Sequence, residues 1–123
     1  MIKTGKKIYS ILSQDQAVSA LIGSKIYPLI APEGTELPYV LYQRSFRNGN
    51  SKDGRTGSES SINIGIFAKS YVNSIDICDA IEKALTGYRD GEVKSITLDS
   101  GDEQFQVDAF IQGLIFTVKS TGV

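Results

Sequence analysis

The chain has no histidine and no tryptophan, and only one cysteine, one methionine and three prolines among its 123 residues. Without histidine, imidazole acid–base catalysis, histidine-containing triads and histidine metal sites are excluded within one chain. A lone cysteine, Cys78, excludes an intrachain disulfide and a cysteine-cluster zinc site. No apolar run approaches the roughly 20 residues that a membrane-spanning helix needs. Neither sign of charge dominates: 13 basic and 14 acidic residues give a formal net charge of −1, hence no global attraction to nucleic acid or to an anionic membrane. The start, Met1 to Lys7, is basic, but it continues with Ser, Gln and Asp rather than an apolar core, so no secretory signal is expected. A reducing cytosol is the default setting.

What is present suits an ordinary globular protein, 41% hydrophobic and 22% charged. The length fits one domain over 1–123, long enough to bury about two-thirds of its unfolded surface without a metal or disulfide staple. Residues 2–13 read as an amphipathic helix with Ile2, Ile8, Tyr9, Ile11 and Leu12 on one side. Asp15 is placed to cap a second, short helix over 16–22 that stops at Gly23. Pro28 and Pro32 forbid a helix next and disfavour a central strand, so 25–34 reads as an extended segment entering a turn.

Pro38 to Phe46 reads as a strand with Val40, Tyr42 and Phe46 on one face and Tyr39 and Leu41 on the other. Ser61 to Ala68 alternates with Ile62, Ile64 and Ile66 on one face. The two predict a hairpin joined by 47–58, a connection with no apolar residue and three glycines, for which mobility is expected. Ser70 to Thr86 is the strongest helix, with Ile77, Cys78, Ile81, Ala84 and Leu85 on one arc and Gly87 as its stop. Val93 to Leu98 predicts a strand and Asp99 to Glu103 a turn. A last strand runs from about Phe105 to Lys119; its apolar residues change from odd to even numbers, which predicts a β-bulge near Gln112 and Gly113. The fold class is α+β, an antiparallel sheet of about four strands with a central amphipathic helix and N-terminal helices packed on it.

Candidate chemistry is sparse. Gly49 to Thr56 has phosphate-loop spacing, but Arg55 stands where lysine belongs and a strand, not a helix, follows. Asp99, Asp102 and Glu103 offer oxygen ligands for calcium, yet their spacing does not match a calcium loop and a solvated turn is the simpler reading. Cys78 falls on the apolar arc of the main helix and reads as a structural thiol. Tyr27, Tyr39 and Tyr42 read as core residues whose hydroxyls reach the rim. Arg44, Arg47, Lys52 and Arg55 against the single Asp53 make a local cationic segment, suited to a phosphate backbone, an acidic partner surface or solubility alone. No cofactor site and no enzyme emerges.

Certain motifs go further than composition. Leu21-Ile22-Gly23 closes the N-terminal helical region. It is followed by Tyr27-Pro28, by Ala31-Pro32-Glu33-Gly34, by Pro38-Tyr39-Val40-Leu41-Tyr42, and after the main helix by Leu85-Thr86-Gly87. This ordered set resembles the tail-completion proteins of long-tailed bacteriophages and prophages, also called tail terminator or head-to-tail joining proteins. The resemblance implies a non-enzymatic structural role, in which subunits form a ring, generally a hexamer, at the head-proximal end of the tail tube. It further implies the tail-tube protein and the head connector as partners, passing contact with DNA in the channel, and no cofactor, metal or membrane. Location would be the bacterial host cytoplasm during assembly and then the virion.

Under that reading Arg44, Arg47, Lys52 and Arg55 are the candidates for channel or partner contact. Leu114, Ile115 and Phe116, apolar on both faces of the last strand, are the candidates for the oligomer interface. The rival from another class is a small α+β nucleic-acid-binding module that uses the basic 44–55 segment, without the wide basic and aromatic surface such modules show.

Overall fold

The computed structural model describes residues 4–46 and 59–120. In chain order these form α1 (Thr4–Gln14), α2 (Gln16–Ile22), β1 (Ile26–Pro28), β2 (Tyr39–Phe46), β3 (Glu59–Ala68), α3 (Tyr71–Leu85), β4 (Val93–Gln106) and β5 (Ala109–Ser120).

The helix boundaries follow from local chemistry. The Asp15 carboxylate accepts from the Val18 N–H, and the Ser70 hydroxyl oxygen accepts from the Asn73 N–H, each at 3.0 Å. Both therefore satisfy a first-turn donor that a helix leaves orphaned. After α3 the chain turns through Gly87 at φ 85°, a left-handed conformation that glycine adopts without steric cost.

The five strands lie in the order β1-β2-β3-β5-β4. β2 and β3 are antiparallel neighbours from Tyr39↔Phe67 to Phe46↔Ser60, the expected hairpin; its connection, 47–58, lies outside the described residues, and with it the expectation of mobility. β5 then lies antiparallel to both β3 and β4.

The sheet differs from the sequence-based expectation in three ways. It has five strands, because Ile26–Pro28 pairs parallel to Val40–Tyr42 at one edge, the place where a strand tolerates proline. Asp99–Glu103 is not a turn: β4 runs through it to Gln106 and pairs with β5 on both sides of Asp99. The irregularity lies not in β5, which pairs residue for residue with β3 from Phe110 to Lys119, but in β4, and twice: Val93↔Ser120 is followed by Ser95↔Lys119, and Leu98↔Phe116 by Ser100↔Ile115. The apparent change of parity arises because Phe105 belongs to β4 and Val107 to the turn, while within β5 Ile111 lies on the face opposite Leu114, Phe116 and Val118.

All three helices cover the same face. One contiguous core joins Ile8 and Leu12 of α1, Val18 and Ile22 of α2, and Ile77, Ile81 and Leu85 of α3 to a single row from each strand. That row comprises Ile26, Val40, Ile62, Ile64, Ile66, Ala68, Val93, Ile96, Leu114, Phe116 and Val118. Tyr9, expected on the apolar side of α1, is exposed.

An ionic contact ties α1 to the turn before β4. Lys7 Nζ lies 2.8 Å from Asp90 Oδ2 and 3.0 Å from Glu92 Oε1. The Tyr88 hydroxyl donates to Asp90 Oδ2, and Asp90 Oδ1 accepts from the Glu92 and Val93 N–H groups. Lys7 and these donors hold the Asp90 carboxyl well below its usual range, and Asp90 with Glu92 holds the Lys7 ammonium well above its own.

Candidate functional site

With the helices on one side, the other side of the sheet has no covering layer among the described residues. Side chains alternate across a strand, so this face carries the residues between the core rows: Tyr39, Leu41 and Gln43 of β2, Asn63, Gly65 and Phe67 of β3, and Ile111, Gly113 and Ile115 of β5. Tyr39 and Phe67, paired across β2 and β3, stack with ring centroids 5.0 Å apart.

A groove of about 340 Å³ lies on this face. Leu29, Leu41, Phe67 and Ile115 supply its apolar lining, and Gln43, Asn63, Ser100 and Asp102 its polar lining. Its depth comes from glycine. Gly65 and Gly113 face each other across β3 and β5 with no side chain between the walls. A Cβ on Gly113 would come within 2.6 Å of Asp102 Oδ1, so glycine there lets the Asp102 side chain lie across β5. A Cβ on Gly101 would stand 3.0 Å from the Gly113 carbonyl oxygen. Gly101 therefore serves the close approach of two strands within the ladder that runs through 99–103.

The same strand geometry separates the three carboxylates that the sequence had gathered. Asp99, the residue left over at the second irregularity, accepts from the Thr117 hydroxyl, and Asp102 lies over Gly113. Glu103 turns to the helix side, where it accepts from the Tyr71 hydroxyl at 2.7 Å and from Gln112 Nε2 at 3.1 Å. Among the described residues no group of three or more carboxylates or thiols is placed to hold a metal ion. The Tyr71 and Gln112 donors lower the Glu103 carboxyl, and the bond to Glu103 raises the Tyr71 phenol. Burial pushes the Cys78 thiol up, away from the thiolate that a nucleophile needs.

The residues proposed from the sequence are distributed unevenly. Ile115 is 39% exposed on the open face, at the groove. Leu114 and Phe116 are 5% and 0% exposed, packed in the chain's own core, so the surface role expected for their side chains is corrected; on the open face Ile115 stands between Asn63 of β3 and Ser100 of β4, with Leu41 and Phe67 lining the same groove. Arg44 is exposed on β2, opposite Ile62. Arg47, Lys52 and Arg55 lie outside the described residues. Sequence reasoning missed the groove, whose signal was the pairing of Gly65 with Gly113, invisible until the register of β3 and β5 is known.

The chain's motif order and its one-sided α+β layer are consistent with one family. The family model for tail completion protein gp17 matches residues 6–113. The chain belongs to the tail-completion protein family. It is thus a structural protein of the phage tail. The match runs through β4 and into β5, beyond the Leu85-Thr86-Gly87 that closes the motif set. Among solved structures, a chain from the virion of a native gene transfer agent (GTA) particle is similar, with a TM-score of 0.79 and 18% identity. That likeness covers 94% of this tail-completion chain and 92% of the other, and at this identity it concerns the fold. Comparison with curated proteins gives no significant match.

Proposed function

We propose that this tail-completion protein assembles into a ring, generally a hexamer in such proteins, that caps the head-proximal end of the tail tube and joins it to the head connector. The observation that carries this reading is the sheet face left without helices, which keeps Ile115, Leu41 and Phe67 at a glycine-floored groove. A closed ring needs two different, complementary surfaces on each subunit. The open face supplies one of them, and among the described residues β1 and β4 form the two edges of the sheet, open to a neighbour. Arg44, with Arg47, Lys52 and Arg55 beyond it in sequence, supplies a cationic segment for DNA in the channel or for an acidic neighbour. The role is architectural, and no residue is assigned a catalytic part.

Mass measurement in solution across concentrations, combined with negative-stain imaging, tests the ring. Adding the protein to polymerising tail tubes tests the cap, with arrest of elongation and density at one tube end as the expected result. A chain that stays monomeric at every concentration and leaves tube length unchanged would overturn the reading. A steep salt dependence of DNA affinity in the monomer would instead favour nucleic-acid binding.

A further inference from the structure

The hairpin between β4 and β5 closes with two residues, Val107 and Asp108, after the pair Gln106↔Ala109. Both have positive φ, 49° and 61°, as the type I′ turn requires. Folding alone favours Asn-Gly or Asp-Gly at such a turn, and a β-branched residue at positive φ is an outlier. Val107 is also 94% exposed. The sequence thus carries an apolar, conformationally disfavoured residue where neither the turn nor the core calls for it.

The turn stands on a braced base. Phe105, itself 59% exposed, lies 4.8 Å from Phe110 by ring centroids, and Phe110 meets Tyr71 of α3 edge-on at 6.2 Å. Behind them Gln112 Nε2 donates to both Glu103 and Ser74, tying the hairpin to α3. The result is an exposed apolar ridge at a hairpin end anchored to α3.

We infer that this ridge, Val107 with Phe105, docks in the open-face groove of a second copy of the chain, which makes the contact heterologous and able to close a ring. The inference rests on the ring reading above. The partner is a second copy because one chain carries both halves and cannot join them itself. The groove is lined by Asp102 and Gly113 of the same hairpin, and Asp102 stands about 17 Å along the strand from Val107, so the ridge cannot fold back into it. The halves also match in chemistry. Leu41, Phe67 and Ile115 receive apolar side chains, while the exposed amides of Gln43 and Asn63, paired across β2 and β3, offer N–H donors to the Asp108 carboxylate.

The variant Val107→Asn separates folding from assembly, since asparagine suits positive φ. Its thermal midpoint should equal or exceed that of the natural chain, while the concentration needed for rings rises about ten- to hundredfold, the worth of one buried aliphatic side chain. Ile115→Asp damages the groove and leaves the ridge intact. An equimolar mixture of the two variants retains one sound contact per pair, so native mass spectrometry should show mixed dimers and no rings. A photo-cross-linking residue at 107 in the full chain should capture peptides containing residues 41–43 or 63–67 of another copy. Rings of Val107→Asn at natural concentrations, absence of mixed dimers, or cross-links confined to other peptides would each overturn this contact while leaving the ring itself standing. A natural chain that forms no ring would remove the ring reading, and this contact with it.

Discussion

The two faces of the sheet are built from the same strands yet differ in what they contain. On β3, Ile62, Ile64 and Ile66 point to the helices, while Asn63, Gly65 and Phe67 point away. On β5, Leu114, Phe116 and Val118 point to the helices, while Gly113, Ile115 and Thr117 point away. The covered rows are almost wholly branched and aromatic, the types that fill a closed core. The open rows mix aromatic, glycine and amide, which packs no core but shapes a groove. Under the proposed ring, stability and contact between subunits fall on opposite sides of one sheet, so each is expected to change with little effect on the other.

Substitutions sharpen or break this division. The largest loss should come from Leu85→Ala, which empties a fully buried position where α3 meets the core; a cost of about 2–4 kcal/mol is expected from denaturant unfolding. An unchanged midpoint would mean that α3 does not hold the covered face.

Next is Gln112→Ala, which removes the buried amide that joins β5 to Ser74 and Glu103. It should cost about 1–2 kcal/mol. The covered face at this end would be shown to rest on apolar contact alone if unfolding were unaffected.

A smaller effect is expected for Asp90→Asn, up to about 1 kcal/mol near neutral pH, because the pair with Lys7 is partly solvated. The pH dependence follows from the direction of each shift. Asp90 is held below its ordinary 3.8, so its contribution is complete above that pH and is lost as pH falls through the folded-state value. Lys7 is held above its ordinary 10.5, so its contribution is complete below that pH and is lost as pH rises through the folded-state value. Asp90→Asn should therefore flatten both limbs of the natural chain's stability profile, measured by unfolding across pH.

The smallest effect on folding belongs to Ile115→Asp, within about 0.5 kcal/mol for a residue outside the core. Circular dichroism should match that of the natural chain while the oligomer peak disappears. Outright unfolding would place Ile115 in the subunit core, and intact rings would move the interface elsewhere.

Much of the covered face was legible in the sequence, since period and capping are local properties. The 3.6-residue spacing of Ile77, Ile81 and Leu85 and the Ser70 cap specify α3, and the alternation of Ile62, Ile64 and Ile66 specifies β3. Elsewhere composition misled. The run from Asp99 to Glu103 has every turn-forming residue type, but β5 alongside offers an unbroken ladder of hydrogen-bonding groups, and pairing with it outweighs the local preference. Alternation puts Leu114 and Phe116 on one face of the last strand and Ile115 on the other, but the sequence does not say which face the helices take, so all three stand as interface candidates until the fold is known.

The amino-acid order by itself determined the helices, the main strands, the absence of histidine and disulfide chemistry, and the family's motifs, because each depends on neighbours a few residues apart. Tertiary structure decided that all three helices share one face, that Gly65 meets Gly113 to floor a groove, that an irregularity falls at Asp99, and that Val107 stands on an exposed hairpin turn. Those outcomes depend on strand register between segments far apart in the chain. Register is fixed only when a whole row of side chains finds its place in a common core.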